Sequence, residues 1–344
     1  MSTASPLARY GWDERFAPRT TDLVPGRVVR VDRSACEVVT GDGRRSARVR
    51  RGLEPCTGDW VGLAEDGSLA EVLPRRTALV RGSGGAPQVL AANVDVVAVV
   101  VSLSARLALG RVERLLALAW ESGARPVVVL TKADLSADVA DVADEVSAAA
   151  PGAPVVAVSA TDGSGLDPLR AELFGGSGPA ATAVLVGPSG AGKSTLVNAL
   201  LGTSALATGD VRASDGKGRH TTVRRELHAL PGGGVLIDTP GLRAVGLHAA
   251  DEGVRQAFAE VEELARSCRF ADCAHVAEPG CAVLAAVDDG GLERRRVDSL
   301  HELRRESEWL ASRTDPRLRA ERRGAERAMS KAQRRMYRER GGWG

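Results

Sequence analysis

The spacing of hydrophobic and polar positions divides the chain into regions of different character. Residues 24–75 contain short alternating segments, such as GRVVRVDRSACEVVT, separated by turns rich in glycine and aspartate. About five short strands of this kind predict a small β-barrel, for which the OB-fold is the leading candidate. Five arginines between positions 44 and 51 give one strand a basic face. Residues 1–80 are therefore predicted to form an OB-fold that is a candidate for RNA binding, with a merely soluble β-domain as the alternative.

The pattern changes after the Gly-rich segment RGSGGAPQVLA, which predicts a linker over residues 81–91. Nearly continuous apolar runs then alternate with helical segments such as LGRVERLLALAWESG and KSTLVNALLG. Five of these runs predict buried strands: VDVVAVVVSL, RPVVVLT, APVVAVSA, ATAVLVG and GGVLIDT. Buried strands that alternate with helices are typical of a parallel sheet covered on both faces. Residues 92–246 are therefore predicted to form a central α/β domain.

The last part of the chain is helical and then strongly basic. Residues 247–312 have helical periodicity in VRQAFAEVEELARS and LERRRVDSLHELRRESEWLASR. Residues 313–344 form a tail that has eleven Arg or Lys residues and only four acidic residues. A local surplus of this size favours nucleic acid as a partner over a helix that is only solvated.

Composition and the lengths of the apolar runs indicate where in the cell the protein is located. Hydrophobic residues make up 44% of the chain but aromatic residues only 3%, so the cores must rest on Val, Leu and Ala. No apolar run is long enough to span a bilayer, and the first residues, MSTASPLARYGWDERF, lack the apolar centre of a signal peptide. We expect a cytoplasmic monomer with no membrane partner.

The sequence GPSGAGKS matches the phosphate-loop pattern G-x-x-x-x-G-K-[ST], between a predicted strand and a predicted helix. Its glycines allow backbone N–H groups to surround a phosphate at the helix N-terminus. Lys193 would reach the β- and γ-phosphates, and the Ser194 hydroxyl would bind Mg²⁺. The motif predicts a nucleoside triphosphate site but does not choose the base. Its candidate residues are Gly187, Pro188, Ser189, Gly190, Ala191, Gly192, Lys193, Ser194 and Thr195.

A second motif, DTPG, ends the apolar run GGVLIDT. A carboxylate at the end of a strand that follows a phosphate loop is suited to hold Mg²⁺ through water. Asp238 is therefore the second predicted magnesium residue. The backbone N–H of Gly241 would contact the γ-phosphate.

A third motif, TKAD, predicts recognition of guanine. An ionised Asp134 would accept both N–H groups on the guanine edge, a pair that adenine lacks, and the stem of Lys132 would pack over the ring. Thr131 precedes them at the end of a buried strand. One strand later, VSA places the backbone of Ser159 and Ala160 where it would face guanine O6. An N-terminal helix cap is the alternative interpretation of TKAD alone.

The order of these motifs is permuted, because TKAD and VSA precede the phosphate loop. A parallel sheet tolerates such a permutation if the original termini were close together. The ordered set TKAD, VSA, GPSGAGKST, GRHTT and DTPGLR resembles the ribosome-small-subunit-dependent GTPases (RsgA, also called YjeQ). The resemblance implies an OB-fold, a circularly permuted P-loop GTPase domain and a C-terminal helical zinc-binding domain. It also implies GTP as substrate, GDP as product, and the small (30S) ribosomal subunit with its rRNA as partner.

The segment GKGRHTTV, residues 216–223, lies where a switch loop belongs. Thr222, with Thr221 as the alternative, would complete the Mg²⁺ shell when GTP is bound. Leu242 follows DTPG at the position where many GTPases carry a glutamine that orients water, and a leucine side chain cannot do this. In the family that this chain resembles, the histidine of GRHTT is the proposed substitute, here His220. A loop histidine that binds RNA, or nothing, is the alternative.

The segment CRFADCAHVAEPGC contains Cys268, Cys273, His275 and Cys281. Three thiolates and one imidazole form a closed tetrahedral shell that is typical of structural zinc. Scattered buried thiols are the alternative, and disulfides are not expected in a cytoplasmic protein. The spacing also matches the zinc site of the family.

Together these features predict a GTP hydrolase that acts in late maturation of the small ribosomal subunit and is stimulated by binding that subunit. Lys193, Thr222 and His220 are the predicted catalytic residues. Two alternatives remain open. One is a nucleotide-gated RNA-binding assembly placeholder whose hydrolysis only drives release, and the other is a P-loop ATPase or kinase.

Overall fold

The computed structural model describes residues 5–13, 22–82, 87–176, 179–202, 225–239, 250–314 and 317. A five-stranded antiparallel sheet forms the N-terminal part. Its strands occur in the order β3-β2-β1-β4-β5 across the sheet. They are β1 (Val24–Val31), β2 (Ala35–Thr40), β3 (Gly43–Arg48), β4 (Trp60–Leu63) and β5 (Leu69–Val72).

The sheet closes on itself through a parallel bridge between Val49 and Leu69, which joins the two edge strands. The interior is filled by small β-branched and aliphatic side chains, among them Val28, Val38 and Val61. Successive side chains of a strand point to opposite faces, and the alternate residues Val29, Val39 and Trp60 are also buried, in a second core that includes residues of the central domain. The predicted small β-barrel is confirmed.

The predicted linker over residues 81–91 requires correction. Strands β6 (Ala78–Arg81) and β7 (Gln88–Ala92) pair as an antiparallel hairpin. The apolar residues Leu79 and Leu90 are fully buried in the main core, which explains why the hairpin is ordered at both ends of the Gly-rich segment. Residues 83–86 lie outside the described residues.

The central sheet has six strands in the order β10-β9-β8-β11-β13-β12. The first five are parallel, and β12 is an antiparallel edge strand that the sequence did not predict. The strands are β8 (Val96–Ser102), β9 (Arg125–Thr131), β10 (Val155–Val158), β11 (Thr182–Val186), β12 (Glu226–Ala229) and β13 (Val235–Asp238). The helices are α1 (Leu109–Glu121), α2 (Val139–Ala149), α3 (Leu166–Phe174) and α4 (Lys193–Leu201).

The C-terminal part is helical, with α5 (Asp251–Ala257), α6 (Ala259–Ala265), α7 (Ala282–Asp288) and α8 (Arg294–Thr314). The single helix predicted from VRQAFAEVEELARS is interrupted at Phe258, whose fully buried ring anchors the break. Within the described residues, no helix is both long enough and apolar enough to cross a membrane.

Helix α5 packs closely on α1 of the central domain. A Cβ atom on Gly253 would lie 2.0 Å from the carbonyl oxygen of Ala117, so only glycine allows this approach. The Gly253 N–H donates to the Glu121 carboxylate at 2.8 Å. The helical part is thus fixed to α1, which packs on the same central sheet that carries the nucleotide motifs.

Candidate functional site

The phosphate loop connects β11 to α4 at the carboxyl end of the sheet, where ligands bind in α/β folds of this kind. Gly187 has φ of 153°, and a Cβ there would lie 2.5 Å from the carbonyl oxygen of Val100. Gly192, with φ of 83°, immediately precedes the first residue of α4. These positions require glycine, and the loop therefore has the backbone that the motif predicts.

Lys193 is the first residue of α4, and its side chain folds back over the loop. Its Nζ donates to the carbonyl oxygens of Gly187 at 2.9 Å and of Pro188 at 2.7 Å. Burial lowers the pKa of Lys193, and the nearby Asp238 carboxylate opposes that shift. A positive charge therefore lies at the loop, partly removed from water, where an anion would be attracted strongly.

Asp238 is the last residue of β13, the strand next to β11. Burial raises the pKa of its carboxyl group, while His228 and Lys193 oppose the shift. A buried carboxylate whose ionised form lacks solvation is well suited to a divalent cation. The next residue, Thr239, is fully buried and donates from Oγ1 to the carbonyl oxygen of Leu185 at 2.7 Å. This bond fixes the end of β13 beside the phosphate loop.

The TKAD motif lies directly against the phosphate loop. Thr131 donates from Oγ1 to the carbonyl oxygen of Ala191 at 2.7 Å, which joins the end of β9 to the loop. Lys132 has a left-handed backbone with φ of 61°, and its Nζ donates to Ser104 Oγ at 3.0 Å. Asp134 is exposed in the short 3-10 turn Ala133–Leu135 that follows. Its carboxylate is therefore accessible to a ligand.

The VSA motif ends β10 on the same edge of the sheet. Ser159 is fully buried, and its Oγ accepts the N–H groups of Thr161 at 3.2 Å and Asp162 at 3.4 Å. This turn shapes the backbone around Ala160, which is half-buried. The structure thus brings the four described motifs to one edge, although they span more than a hundred positions of the chain.

Several predicted residues lie outside the described residues. These are His220, both threonine alternatives Thr221 and Thr222, and Gly241 with the neighbouring Leu242. The same holds for the basic tail beyond residue 317. Their predicted roles stay predictions.

The four predicted zinc ligands meet in one cluster, whose ligand atoms all lie within 4.8 Å of one another. Cys268 Sγ is 3.9 Å from Cys281 Sγ and 3.7 Å from His275 Nδ1, and His275 Nδ1 is 3.4 Å from Cys281 Sγ. Zinc–sulfur bonds of about 2.3 Å in a tetrahedron separate two sulfur atoms by about 3.8 Å, so the cluster has the size that zinc requires.

The protonation chemistry of the cluster also suits a metal. Burial lowers the pKa of His275, with help from the positive charges of Arg304 and His301, and favours the neutral imidazole that binds metals. Loss of solvation and the neighbouring thiols raise the pKa of the Cys273 thiol to about 11. A divalent cation would supply the positive charge that stabilises these sulfurs as thiolates.

The comparisons with known proteins agree with this architecture. Residues 72–248 match the sequence profile described as RsgA GTPase. The small ribosomal subunit biogenesis GTPase RsgA of Streptomyces coelicolor is 55% identical over 340 residues, which cover 93% of this chain and 92% of that protein. This chain belongs to the RsgA GTPase family. The RsgA protein of Opitutus terrae is 44% identical, with 92% of this chain and 94% of the relative covered.

Solved RsgA-type structures share the fold. YjeQ from Thermotoga maritima has a TM-score of 0.62 at 26% identity and covers 83% of this chain and 98% of its own. YloQ, described as a circularly permuted GTPase, has a TM-score of 0.59 at 25% identity and covers 84% of this chain and 96% of its own. The predicted OB-fold, permuted GTPase domain and helical zinc-type domain are therefore confirmed as the fold of this RsgA family member.

Two positions of structural importance to the sites were missed by sequence reasoning. Thr239 lies inside DTPG, where the motif assigns roles only to the aspartate and the glycine. Glu278 lies inside the cysteine cluster and accepts the N–H groups of Val276, Ala277 and Ala274 at 2.8–3.0 Å. These bonds lower the pKa of Glu278 to about 2 and hold the loop that carries His275. Only its position between the ligands distinguishes Glu278 in the sequence.

Proposed function

We propose that this RsgA family member hydrolyses GTP during late maturation of the small ribosomal subunit and that binding the subunit stimulates hydrolysis. The observation that carries the proposal is the convergence of phosphate loop, Asp238, TKAD and VSA at one sheet edge, in a chain 55% identical to a small ribosomal subunit biogenesis GTPase. The placeholder and ATPase alternatives have no comparable support.

The phosphate loop would bind the β- and γ-phosphates through the backbone N–H groups of residues 187–195 and the ammonium of Lys193. Ser194, Asp238 and Thr222 would hold Mg²⁺, which neutralises charge as the phosphoryl group moves to water. His220 would orient that water. Gly241 would contact the γ-phosphate through its N–H.

Guanine recognition would rest on Asp134, whose exposed carboxylate accepts two N–H groups of the base. Lys132 would leave Ser104 and cover the ring. Thr131 would position both residues through its bond to the phosphate loop, and Ser159 and Ala160 would present backbone to guanine O6. This division of roles predicts a preference for GTP over ATP.

The Cys268, Cys273, His275 and Cys281 cluster would hold one structural zinc ion, since four protein ligands leave no position for a reacting group. The basic residues of the barrel and the tail 313–344 would contact rRNA phosphates. We expect the protein to work as a monomer in the cytoplasm.

Steady-state GTP hydrolysis with and without purified small ribosomal subunits tests the proposal, with ATP as the control nucleotide. The expected result is slow GTP hydrolysis alone, strong stimulation by the subunit and no effect with ATP. Equal GTP hydrolysis rates with and without the subunit would remove the ribosomal part of the proposal. Equal rates with ATP would remove guanine recognition.

A further inference from the structure

A cavity of about 200 Å³ lies between the phosphate loop and the start of α1. Residues 188–191 of the phosphate loop form one wall, and the segment that connects β8 to α1 forms another. The apolar side chains of Val100, Val112 and Leu115 line its deeper part. No described residue of TKAD or VSA lines this cavity. One lining residue, Ser104, accepts a hydrogen bond from Lys132 of TKAD.

The polar side chains around this cavity carry hydroxyls or positive charge. Arg106 and Arg111 supply guanidinium groups, and Ser102, Ser104 and Ser189 supply hydroxyls. None of the described residues that line the cavity has a carboxylate. A cavity of this composition favours an anion over a cation or a neutral ligand.

Arg106, just before α1, and Arg111, in its first turn, differ from the charged residues that follow them on α1. Glu113 is bound by Arg295 and Arg296, and Arg114 is bound to Glu306, so this part of α1 has its charges neutralised by α8. Across the ranges that the structure describes, no acidic side chain lies within ion-pair distance of Arg106 or Arg111. Both guanidinium groups are thus available to an incoming anion.

The position of the cavity identifies that anion. β8 and β11 are adjacent parallel strands, so the segment after β8 and the phosphate loop after β11 leave the sheet at the same edge. A nucleotide bound to the phosphate loop would place its terminal phosphate next to residues 188–191, which also form one wall of the cavity. Arg106 and Arg111 are exposed, so their guanidinium groups can reach a phosphate from solvent, and the planar guanidinium is suited to bidentate contact with phosphate oxygens.

We propose that Arg106 and Arg111 bind the terminal phosphate of GTP from the cavity side and stabilise the charge that develops there during hydrolysis. The proposal rests on the proposed GTPase function and supplies in cis the arginine that many GTPases obtain from a partner. In the reaction, a water oxygen forms a bond to the γ-phosphorus. The bond from the γ-phosphorus to the β–γ bridging oxygen breaks, and GDP leaves with that electron pair. The water proton passes to the phosphate product.

A binding experiment tests the contact without requiring hydrolysis. Calorimetric titration with GTPγS and with GDP compares wild type with Arg106→Ala, Arg111→Ala and the double variant. We expect the double variant to bind GTPγS about 10-fold more weakly and GDP within about 2-fold of wild type, because only GTPγS carries the terminal phosphate. Arg125→Ala is the matched control, since Arg125 pairs with Glu172 away from the cavity. Equal loss of affinity for both nucleotides, or no loss, would overturn the proposal.

A rate experiment tests the catalytic part. Single-turnover GTP hydrolysis without ribosomal subunits should slow about 10- to 100-fold in the double variant, and Arg111→Lys should retain more activity than Arg111→Ala because it keeps the charge. Thermal midpoints within the range of the Arg125→Ala control establish that the variants fold. A defect seen only with subunits present, at unchanged GTPγS affinity, would assign the arginines to rRNA phosphates and overturn the proposal. A wild-type protein that hydrolyses no GTP would refute the proposed function, while the titration would still decide the phosphate contact.

Discussion

The contact of the central domain with the barrel (the barrel joint) and the contact of α1 with α8 (the helical joint) both contain arginines, in opposite electrostatic surroundings. At the barrel joint, the fully buried Arg27 of β1 donates to Thr182 Oγ1 at 2.8 Å, to the Asn93 carbonyl oxygen at 3.3 Å and to the carbonyl oxygen of Tyr10. At the helical joint, Glu113 of α1 accepts Arg295 at 2.6 Å and Arg296 at 2.7 Å.

The pKa values show what this difference means. Burial lowers the pKa of Arg27 to about 10, because its hydrogen-bond acceptors are neutral and the carboxylates of Asp95 and Asp59 act only from a distance. Burial also acts to lower the pKa of Arg295, but the bond and charge of Glu113 raise it above its ordinary value. Among the residues that the structure describes, Arg27 at the barrel joint has no carboxylate bound to it, whereas the charges of the helical joint compensate one another.

The largest effect on this comparison should come from removing the zinc ion that we propose is bound by Cys268, Cys273, His275 and Cys281. Cys281 caps the N-terminus of α7, since its Sγ accepts the Leu284 N–H at 3.4 Å, and α8 is the next helix along the chain. Structural zinc sites contribute roughly 10 kcal/mol or more to folding, so chelation should release α8 and open the helical joint while the barrel joint stays closed. Amide hydrogen exchange of α8 and of β1, before and after chelation, measures this selectivity.

Cys36 provides the matched control for zinc removal, because it is buried in the barrel outside the cluster. Cys281→Ala should purify without zinc and with unprotected α8 amides, whereas Cys36→Ala should retain one zinc ion per chain. Full protection of α8 in zinc-free protein would show that the helical joint does not depend on the metal.

The next largest effect should come from Glu113→Met. The substitution leaves Arg295 and Arg296 at the joint without their shared carboxylate, and removing one partner of a buried pair typically costs about 3–5 kcal/mol. We expect the lower end, because Arg296 keeps Glu260 at 2.7 Å and its stacking on Phe258. The opening free energy of α8, from hydrogen exchange, is the quantity to measure. If the opening free energy of α8 falls by less than about 1 kcal/mol, which is the contribution of an exposed ion pair, the Glu113 carboxylate is unimportant for this joint.

Arg27→Met applies the same kind of change to the barrel joint and should cost less, about 1–2 kcal/mol. It removes the unfavourable burial of a charge together with the hydrogen bonds, and leaves only neutral acceptors without a donor. Methionine would keep the contact with Trp60, over which the guanidinium now lies at 4.8 Å. Hydrogen exchange of the β1 amides measures the loss of stability. A loss equal to that of Glu113→Met would show that the two joints do not differ in their dependence on charge.

The smallest effect is expected at an ion pair between α8 and α6, within the helical part itself. Arg304 pairs with Glu262 where both side chains are about one-third exposed to solvent. Pairs of this kind contribute about 0.2–1 kcal/mol, so Arg304→Ala should change the opening of α8 by less than 1 kcal/mol. Repeating the exchange measurement in high salt should remove most of that difference, because salt screens exposed charges.

The nucleotide motifs could be predicted from the sequence because each is a local pattern. Glycine spacing, a lysine and a preceding apolar run determine the phosphate loop within about a dozen residues. The same holds for the cysteine cluster, whose ligands lie within fourteen positions of each other. Continuous apolar runs also predicted the five parallel strands correctly.

The joints could not be predicted because their partners are far apart in the chain. Glu113 in a helical segment is indistinguishable from a solvent-facing glutamate until α8, some 180 positions later, supplies Arg296. Strand β12 was missed because it has only four residues, ELHA, none of which is β-branched or one of Phe, Tyr and Trp, and its strand conformation depends on pairing with β13. The hairpin at 78–92 was obscured by glycines that mark a turn as well as a linker.

The permuted strand order has a consequence for how the protein is made. Strands β8, β9 and β10 are consecutive in the chain and occupy one half of the sheet, whereas β11, β12 and β13 form the other half. During synthesis the half of the sheet that carries TKAD and VSA is therefore made before the phosphate loop. A chain interrupted before residue 182 would contain TKAD and VSA but no means of holding a triphosphate. Phosphate binding therefore requires synthesis to pass residue 195, and products that end before the phosphate loop would not compete for GTP.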